Sequence, residues 1–457
     1  MTDHTKTYAP VHPHQWTRER GEGLPSLHLE DISGIPFVSA IPGIEEYQHR
    51  ARVRAGDGDL FAAVSPSAPG YEDYCQHTLG LGSPRLLRAE PTGGVLEVAA
   101  ACAHGAVLDT LAEVARGAGG IIVHPYMSIQ AVWDLAAAIR EASGSPAYVL
   151  GPTPEALWAA NDKGQLDAII HDLGMGDLVV ETHTERTAEA ICDRARELAA
   201  RHGHVGLKRT RCASAMGNAV FAAADLAGAP REDVLARVRA FLDHTEWPEG
   251  EEVLVVEWSP TDVSPSTQLW IPSLDSGEAP RLDGVYEQLL EGEEKVFLGS
   301  RPSTLPDAVN ARLGEASVRV AAEFQRLGYV GRCSFDFIVV GDLEDAPRVC
   351  FTECNGRWGG TSTPMYLVDR LMRGSSRPHY IAQDVVHDAL VGADFAELTR
   401  ALGDALYDPA TKTGRFALYN PGPLRDKGKV DVVSIGRTPE EALEGVKDVL
   451  PTLWGLS

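Results

Sequence analysis

Residues 350–357 read Cys-Phe-Thr-Glu-Cys-Asn-Gly-Arg. Strand alternation puts Glu353 and Asn355 on one face and Cys354 on the other, with Arg357 two residues beyond. Upstream, residues 333–340 are rich in β-branched and aromatic side chains and carry one carboxylate, Asp336. The polar stretch between them, 341–347, has Gly341 at one end and Pro347 at the other, which is a hairpin signal. A hairpin symmetric about that loop sets Val340 opposite Val349 and Asp336 opposite Glu353. Directly opposed residues have Cβ atoms about 4.5–5.5 Å apart. Two carboxylates that close repel unless a cation lies between them, and Asp, Glu and Asn oxygens are the ligands that hard Mg²⁺ prefers. Opposed acids on a hairpin are also, by themselves, an ordinary solvated face, so the meaning of this pair depends on the rest of the chain.

The chain has 457 residues, enough for two to four domains, and a globular composition with 44% hydrophobic and 23% charged residues. Its net charge of −24 argues against non-specific nucleic-acid binding, which needs a basic surface. A local cluster of Lys, Arg and Mg²⁺ still allows anionic ligands in a cleft. No apolar run has the length of a membrane span. The first 20 residues are polar, with His4, His12 and His14, and read as an arm and not as a secretory signal. Seven scattered cysteines without a Cys-x-x-Cys pair read as reduced thiols, and the expected location is the cytoplasm. Cys354 reads as core and not as a nucleophile.

Alternating strand and helix patterns organise the chain. Residues 120–124 and 147–150 read as buried strands and 129–142 as an amphipathic helix. Helices are expected at 154–160 and 187–202, the second capped by Thr187, with strands at 205–209 and 253–258. A helix at 308–327 precedes the hairpin. Strands near 415–419 and 430–436 lead to a helix opened by Thr438-Pro439-Glu440-Glu441, a capping box. The expected fold class is α/β with α+β lobes. The expected division is an arm (1–34), a small α/β domain (35–150), a small lobe (151–260), a large lobe with the metal site (261–395) and a C-terminal α/β unit (396–457).

No Walker loop, His-Glu-x-x-His, Gly-x-Ser-x-Gly or dinucleotide fingerprint is present. A different phosphate cradle is. Lys208 ends an apolar strand, and the small-residue loop 212–218 after it contains Ser214, Met216, Gly217 and Asn218. Backbone N–H groups in such a loop approach phosphate oxygens closely, and a lysine at its base adds a point charge. The apolar strand 253–256 ends in Glu257 and Trp258, with Asp262 shortly after. Taken singly, the loop reads as a surface hairpin, Lys163 as a solvated helix lysine and the 253–256 strand as core.

Their order is what carries information. Lys163, then Lys208 with its small-residue loop, Glu257, Asp262, Asp336 and finally Glu353-Cys-Asn355-Gly-Arg357 resembles the succession of the ATP-grasp superfamily over residues 145–375. The terminal run 353–364, Glu-Cys-Asn-Gly-Arg-Trp-Gly-Gly-Thr-Ser-Thr-Pro, looks like that superfamily's last metal strand. The preceding α/β segment, with Ser65-Pro-Ser-Ala-Pro-Gly-Tyr-Glu-Asp-Tyr74, and the C-terminal α/β tail resemble the pheganomycin-type peptide ligases, which carry a pre-ATP-grasp domain.

The resemblance implies that Lys163 and Lys208 touch ATP phosphates while residues 214–218 close over them. Glu257 and Trp258 would meet adenine and Asp262 the ribose. Asp336, Glu353 and Asn355 would hold Mg²⁺, with Mn²⁺ as an alternative. Arg357 would stabilise the transferred phosphoryl group, with Arg332 and Arg301 as assisting candidates. The implied activity is an ATP-dependent carboxylate–amine ligase acting through an acyl-phosphate on small-molecule or peptide substrates, in peptide natural-product biosynthesis. A small-molecule kinase on the same fold and a non-catalytic nucleotide-binding protein are the rival readings. No nucleic acid or membrane partner is expected, and a homodimer is left open.

Overall fold

The computed structural model describes residues 23–36, 38, 41, 43–212, 217–291 and 296–456. Three sheets organise them. The first is parallel and contains β1 (Ser26–Leu29), β2 (Leu60–Ala63), β3 (Arg85–Arg88), β4 (Ile121–Pro125) and β5 (Ala147–Val149) in the order β3-β2-β1-β4-β5. Its central strands are apolar on both faces, as a sheet sandwiched by helices requires. The helices Gly105–Ala118 and Gln130–Ser143 run beside each other and pack into its core.

The second sheet is antiparallel: β6 (Thr182–Glu185), β7 (His204–Arg209), β8 (Asn218–Ala222) and β9 (Val253–Glu257), in the order β6-β9-β7-β8. The helices Ala188–Ala199 and Arg231–His244 supply its own core. Thr187 caps the first of them, its hydroxyl accepting from Ala190 N at 3.2 Å.

The third sheet has eight strands: β10 (Pro265–Ile271), β11 (Arg281–Glu291), β12 (Val296–Pro302), β13 (Gly331–Val340), β14 (Arg348–Asn355), β15 (His379–Val386), β16 (Phe416–Tyr419) and β17 (Lys429–Gly436). Their order is β14-β13-β10-β11-β12-β15-β17-β16. The helix Asp307–Arg326 packs on β10 and β11, and Cys333, Phe335, Phe337 and Cys354 point into that core. Cys354 is thus buried on the face opposite Glu353.

Two expected boundaries differ from the structure. The arm assigned to 1–34 contributes β1, the middle strand of the parallel sheet, whose Leu27 and Leu29 are fully buried. The unit assigned to 396–457 has no sheet of its own, since β16 and β17 extend the large-lobe sheet through β15. One core also joins Tyr71, Tyr74, Leu79 and Leu81 from the N-terminal domain to β15–β17 and the helix Ser362–Met372. Among the described residues no helix is long and apolar enough to cross a membrane.

Candidate active site

The β13–β14 hairpin pairs Asp336 with Glu353, Phe335 with Cys354 and Ser334 with Asn355. Near its turn, however, Val340 faces Arg348 and Val339 faces Val349, one residue away from the symmetric expectation. A register shift just after Asp336 absorbs the difference. The bulge leaves Thr352 as the extra residue on β14, so the acid pair stays in register although the turn does not.

The side chains around this pair form a continuous set of contacts. Asn355 Nδ2 donates to Asp336 Oδ2 at 2.9 Å, and Asn355 Oδ1 accepts from Arg357 Nη2 at 2.7 Å. Arg357 Nη1 donates to the Tyr126 hydroxyl at 3.0 Å and to the Trp358 carbonyl at 2.9 Å. Gly356 N donates to Asn161 Oδ1 at 3.1 Å. A Cβ on Gly356 would lie 2.8 Å from Asn161 Nδ2 and 3.1 Å from Ala160 Cβ, so this strand end approaches the helix Pro154–Asn161 more closely than a side chain allows.

Lys163 is the first residue of the helix Lys163–Asp172. Asp162 caps that helix, accepting from Gly164 N at 3.0 Å and Gln165 N at 3.2 Å, and also receives Arg211 Nε at 2.8 Å. Lys163 N donates to Thr210 O at 3.0 Å, pinning the helix start to the chain leaving β7. With its backbone fixed, Lys163 reaches Glu353 Oε2 at 3.1 Å and the Cys212 carbonyl at 2.8 Å. It is only 7% exposed. The solvated helix lysine expected from sequence is instead a buried bridge between the small lobe and the large sheet. Lys208 stands on β7, its Nζ 5.2 Å from the centre of the Trp258 ring. Lys163 and Lys208 line one cleft between the lobes, with Leu254, Val256, Phe351 and Thr352 as its apolar and neutral walls.

The electrostatics follow from crowding two acids and two lysines into a partly buried site. Loss of solvation, and then the charge on Glu353, push Asp336 up to about 7. Glu353 suffers the same loss of solvation, but the charge of Lys163 and its hydrogen bond, aided by Lys208 and Arg357, hold it below the usual carboxylate range. Burial and the neighbouring Lys163 pull Lys208 down to about 8, against the opposing influence of Glu353.

The donor set fits Mg²⁺. Two carboxylates and an amide on adjacent strands are hard oxygen ligands that leave coordination positions for phosphate oxygens.

A stability effect follows. A carboxyl raised from about 4 when unfolded to about 7 when folded stabilises the protein fully at low pH, and loses that contribution as pH rises through 7. Asp336→Asn is therefore expected to raise the metal-free Tm at about pH 8 by a few degrees, roughly 2–4 °C per kcal/mol recovered. The same variant should lose most of the Tm increase that Mg²⁺ gives the wild type. Differential scanning fluorimetry with and without Mg²⁺ measures both.

Other candidates are placed elsewhere. Glu257 is clamped by Arg348, whose Nη1 and Nη2 lie 2.6 and 2.9 Å from its two oxygens, and that hydrogen bonding holds it near 2. Trp258 covers Gly206, where a Cβ would sit 2.6 Å from the indole. Asp262 is exposed on the link between β9 and β10. Asn218 faces Lys208 in the β7–β8 pair, and Gly217 O accepts from Arg209 N at 2.8 Å. Ser214 and Met216 lie outside the described residues. Arg332 is buried, paired with Asp283 at 2.5 Å and set within 5.5 Å of both the Trp270 and Trp358 rings. Arg301 pairs with Glu287 at 2.8 Å on β12, three strands from β13.

Sequence reasoning did not single out Tyr126, Asn161 or Arg348. Tyr126 follows the C-terminal end of a parallel strand, a position where ligands commonly bind, and that rule could have found it. Nothing local signals Arg348, whose partner is 91 residues away.

Residues 48–140 match the family model described as the pre ATP-grasp domain. No curated protein matches the chain in sequence. The solved structures it resembles include the ADP complex of purK, an N5-carboxyaminoimidazole ribonucleotide synthetase, at 13% identity and a TM-score of 0.54, covering 95% of this chain and 98% of that one. Biotin carboxylase from Campylobacter jejuni, solved with β,γ-ATP, is similar at 14% identity and a TM-score of 0.53, covering 89% and 87%. Carboxyaminoimidazole ribonucleotide synthase from Aspergillus clavatus, complexed with ATP, gives 12% identity and a TM-score of 0.53 over 95% and 99%. At such identities the likeness concerns the fold, and it spans all three sheets. Residues 48–140 thus match a pre ATP-grasp domain, and the chain as a whole shares the fold of these structures.

Proposed function

We propose that this chain is an ATP-dependent carboxylate–amine ligase. The observation that carries the reading is that Lys163, Lys208 and Arg357 all bring positive charge to Glu353, which stands beside Asp336 and Asn355. Such a set neutralises a triphosphate and leaves an arginine beside the transferred group. The neighbours solved with ADP and ATP support a nucleotide in this position.

In the proposed reaction a substrate carboxylate oxygen attacks the γ-phosphorus, the bond to the bridging oxygen breaks, and ADP leaves. An amine then attacks the acyl carbon of the acyl-phosphate and phosphate departs, giving the amide. Asp336, Glu353 and Asn355 would hold Mg²⁺, which supplies charge neutralisation to the phosphates. Lys163 exchanges Glu353 for a phosphate oxygen as the nucleotide arrives. Lys208 adds a second positive charge from β7, and Arg357 faces the phosphoryl group in transfer. No side chain needs to act as a nucleophile; positioning and charge do the chemistry.

The finer reading is that the carboxylate is amino-acid-like and the amine belongs to an amino acid or peptide, in the biosynthesis of a peptide natural product. A screen of carboxylates against amines and peptides, followed by ADP release and mass detection of the amide, tests it. ADP release that requires both partners supports ligation. Release with the carboxylate alone and a stable phosphorylated product would identify a kinase on this fold instead.

A further inference from the structure

Arg357 is only partly held by its own lobe. A guanidinium has five N–H donors. Three hydrogen bonds account for Arg357: to Asn355 Oδ1, to the Trp358 carbonyl and to the Tyr126 hydroxyl. The third partner comes from the pre-ATP-grasp domain, 231 residues away in sequence. Among the described residues, these bonds leave two donors, the Nε–H and one Nη2–H.

Tyr126 is itself fixed. It is 5% exposed, and its backbone carbonyl accepts from Trp358 N at 3.0 Å. Its ring lies 5.7 Å from the Arg357 guanidinium carbon and 5.5 Å from that of Arg50. Arg50 is locked by Glu30, with Nε 2.6 Å from Oε1, and both are buried. Glu30 follows β1, Arg50 belongs to the helix Ile44–Val53, and Tyr126 follows β4. Three elements of the pre-ATP-grasp domain thus converge at the C-terminal edge of its parallel sheet, with Arg50 over the Tyr126 ring and Glu30 holding Arg50. The phenol offers an acceptor at hydrogen-bond distance, and its ring face offers a weaker attraction to the same cation.

We infer that Tyr126 is a positioning residue for Arg357, through which the pre-ATP-grasp domain sets the direction of the two remaining guanidinium donors. The inference rests on the reading that Arg357 meets the phosphoryl group. It gives the domain a task in the chemistry beyond closing one side of the cleft. Phenylalanine at 126 keeps the ring and the backbone carbonyl and removes only the acceptor.

Inorganic phosphate, a product of the proposed reaction, serves as the probe. Its binding to the full-length protein loaded with MgADP is measured by calorimetry for the wild type, Tyr126→Phe, Arg357→Lys and the double variant. Tyr126→Phe is expected to weaken phosphate about tenfold, the size of one hydrogen bond to a charged group, with MgADP affinity and Tm unchanged. In the Arg357→Lys background the same change should have no further effect, because a lysine lacks the guanidinium fork. Equal phosphate affinity for Tyr126→Phe and wild type, or equal losses in both backgrounds, overturns the positioning role. Failure of the wild type to bind MgADP at all overturns the nucleotide reading beneath it, a separate result.

Discussion

Glu353→Gln should lower ADP formation by about two to three orders of magnitude while leaving the protein folded, the loss seen when a charge-stabilising group is removed from a phosphoryl or acyl-transfer site. Glutamine preserves length and shape, and its amide oxygen still accepts from Lys163. What disappears is the one carboxylate of the pair that stays ionised, because Lys163, Lys208 and Arg357 favour its charge. Without the charge of Glu353, Asp336 gives up its proton more readily, but it is then a single carboxylate where the wild type has two. The metal would then meet a neutral amide where an anion stood. Excess Mg²⁺ should recover part of the loss, and near-normal melting would separate this from unfolding. Turnover equal to the wild type at every Mg²⁺ concentration would remove Glu353 from the metal site.

Lys208→Ala is expected to weaken ATP binding about a hundredfold, as loss of a charged hydrogen-bonding partner of phosphate implies. It also carries a pH signature. Lys208 loses its proton near pH 8 in the unliganded protein, because burial and Lys163 disfavour a second positive charge. A triphosphate binds the charged form, so wild-type ATP affinity should fall as pH rises past 8, with proton uptake on binding. The alanine variant should be weak throughout and nearly flat over that range. Calorimetry in two buffers of different ionisation enthalpy reads both quantities. Wild-type affinity that stays level from pH 7 to about 9.5 would place Lys208 outside the phosphate site.

The strand and helix patterns were legible because local periodicity and capping decide them. Thr187 and Thr438 cap as their sequences indicate, each accepting from the residue three positions on. The Asp336–Glu353 pairing was readable for a subtler reason: the symmetric register is wrong at the turn and right at the acids, since the Thr352 bulge restores the count. Bulges answer to side-chain packing across strands, which one strand's sequence does not display. The arm's strand was missed because Ser26-Leu-His-Leu29 is too short to show a period, although Leu27 and Leu29 are fully buried. Charges were the hardest to place. Lys163, Glu257, Arg301 and Arg332 have partners chosen by tertiary proximity, at Glu353, Arg348, Glu287 and Asp283. Sequence order named these residues, whereas pairing between distant segments decides which of their charges are already satisfied.

The shared core between the two ends of the chain bears on how the protein is made. The Tyr74 hydroxyl accepts from Leu418 N at 2.9 Å, across 344 residues, and Arg370 Nη1 donates to Val53 O at 2.6 Å across 317. On the ribosome, the surface around Tyr71–Leu81 must wait until β15–β17 have been synthesised before it can be covered. Contacts of such separation fold slowly and leave apolar surface open in the interval. The parallel sheet has a core of its own, but this one face of it is covered only by strands made some 300 residues later, so it stays open during synthesis longer than its early place in the chain would suggest.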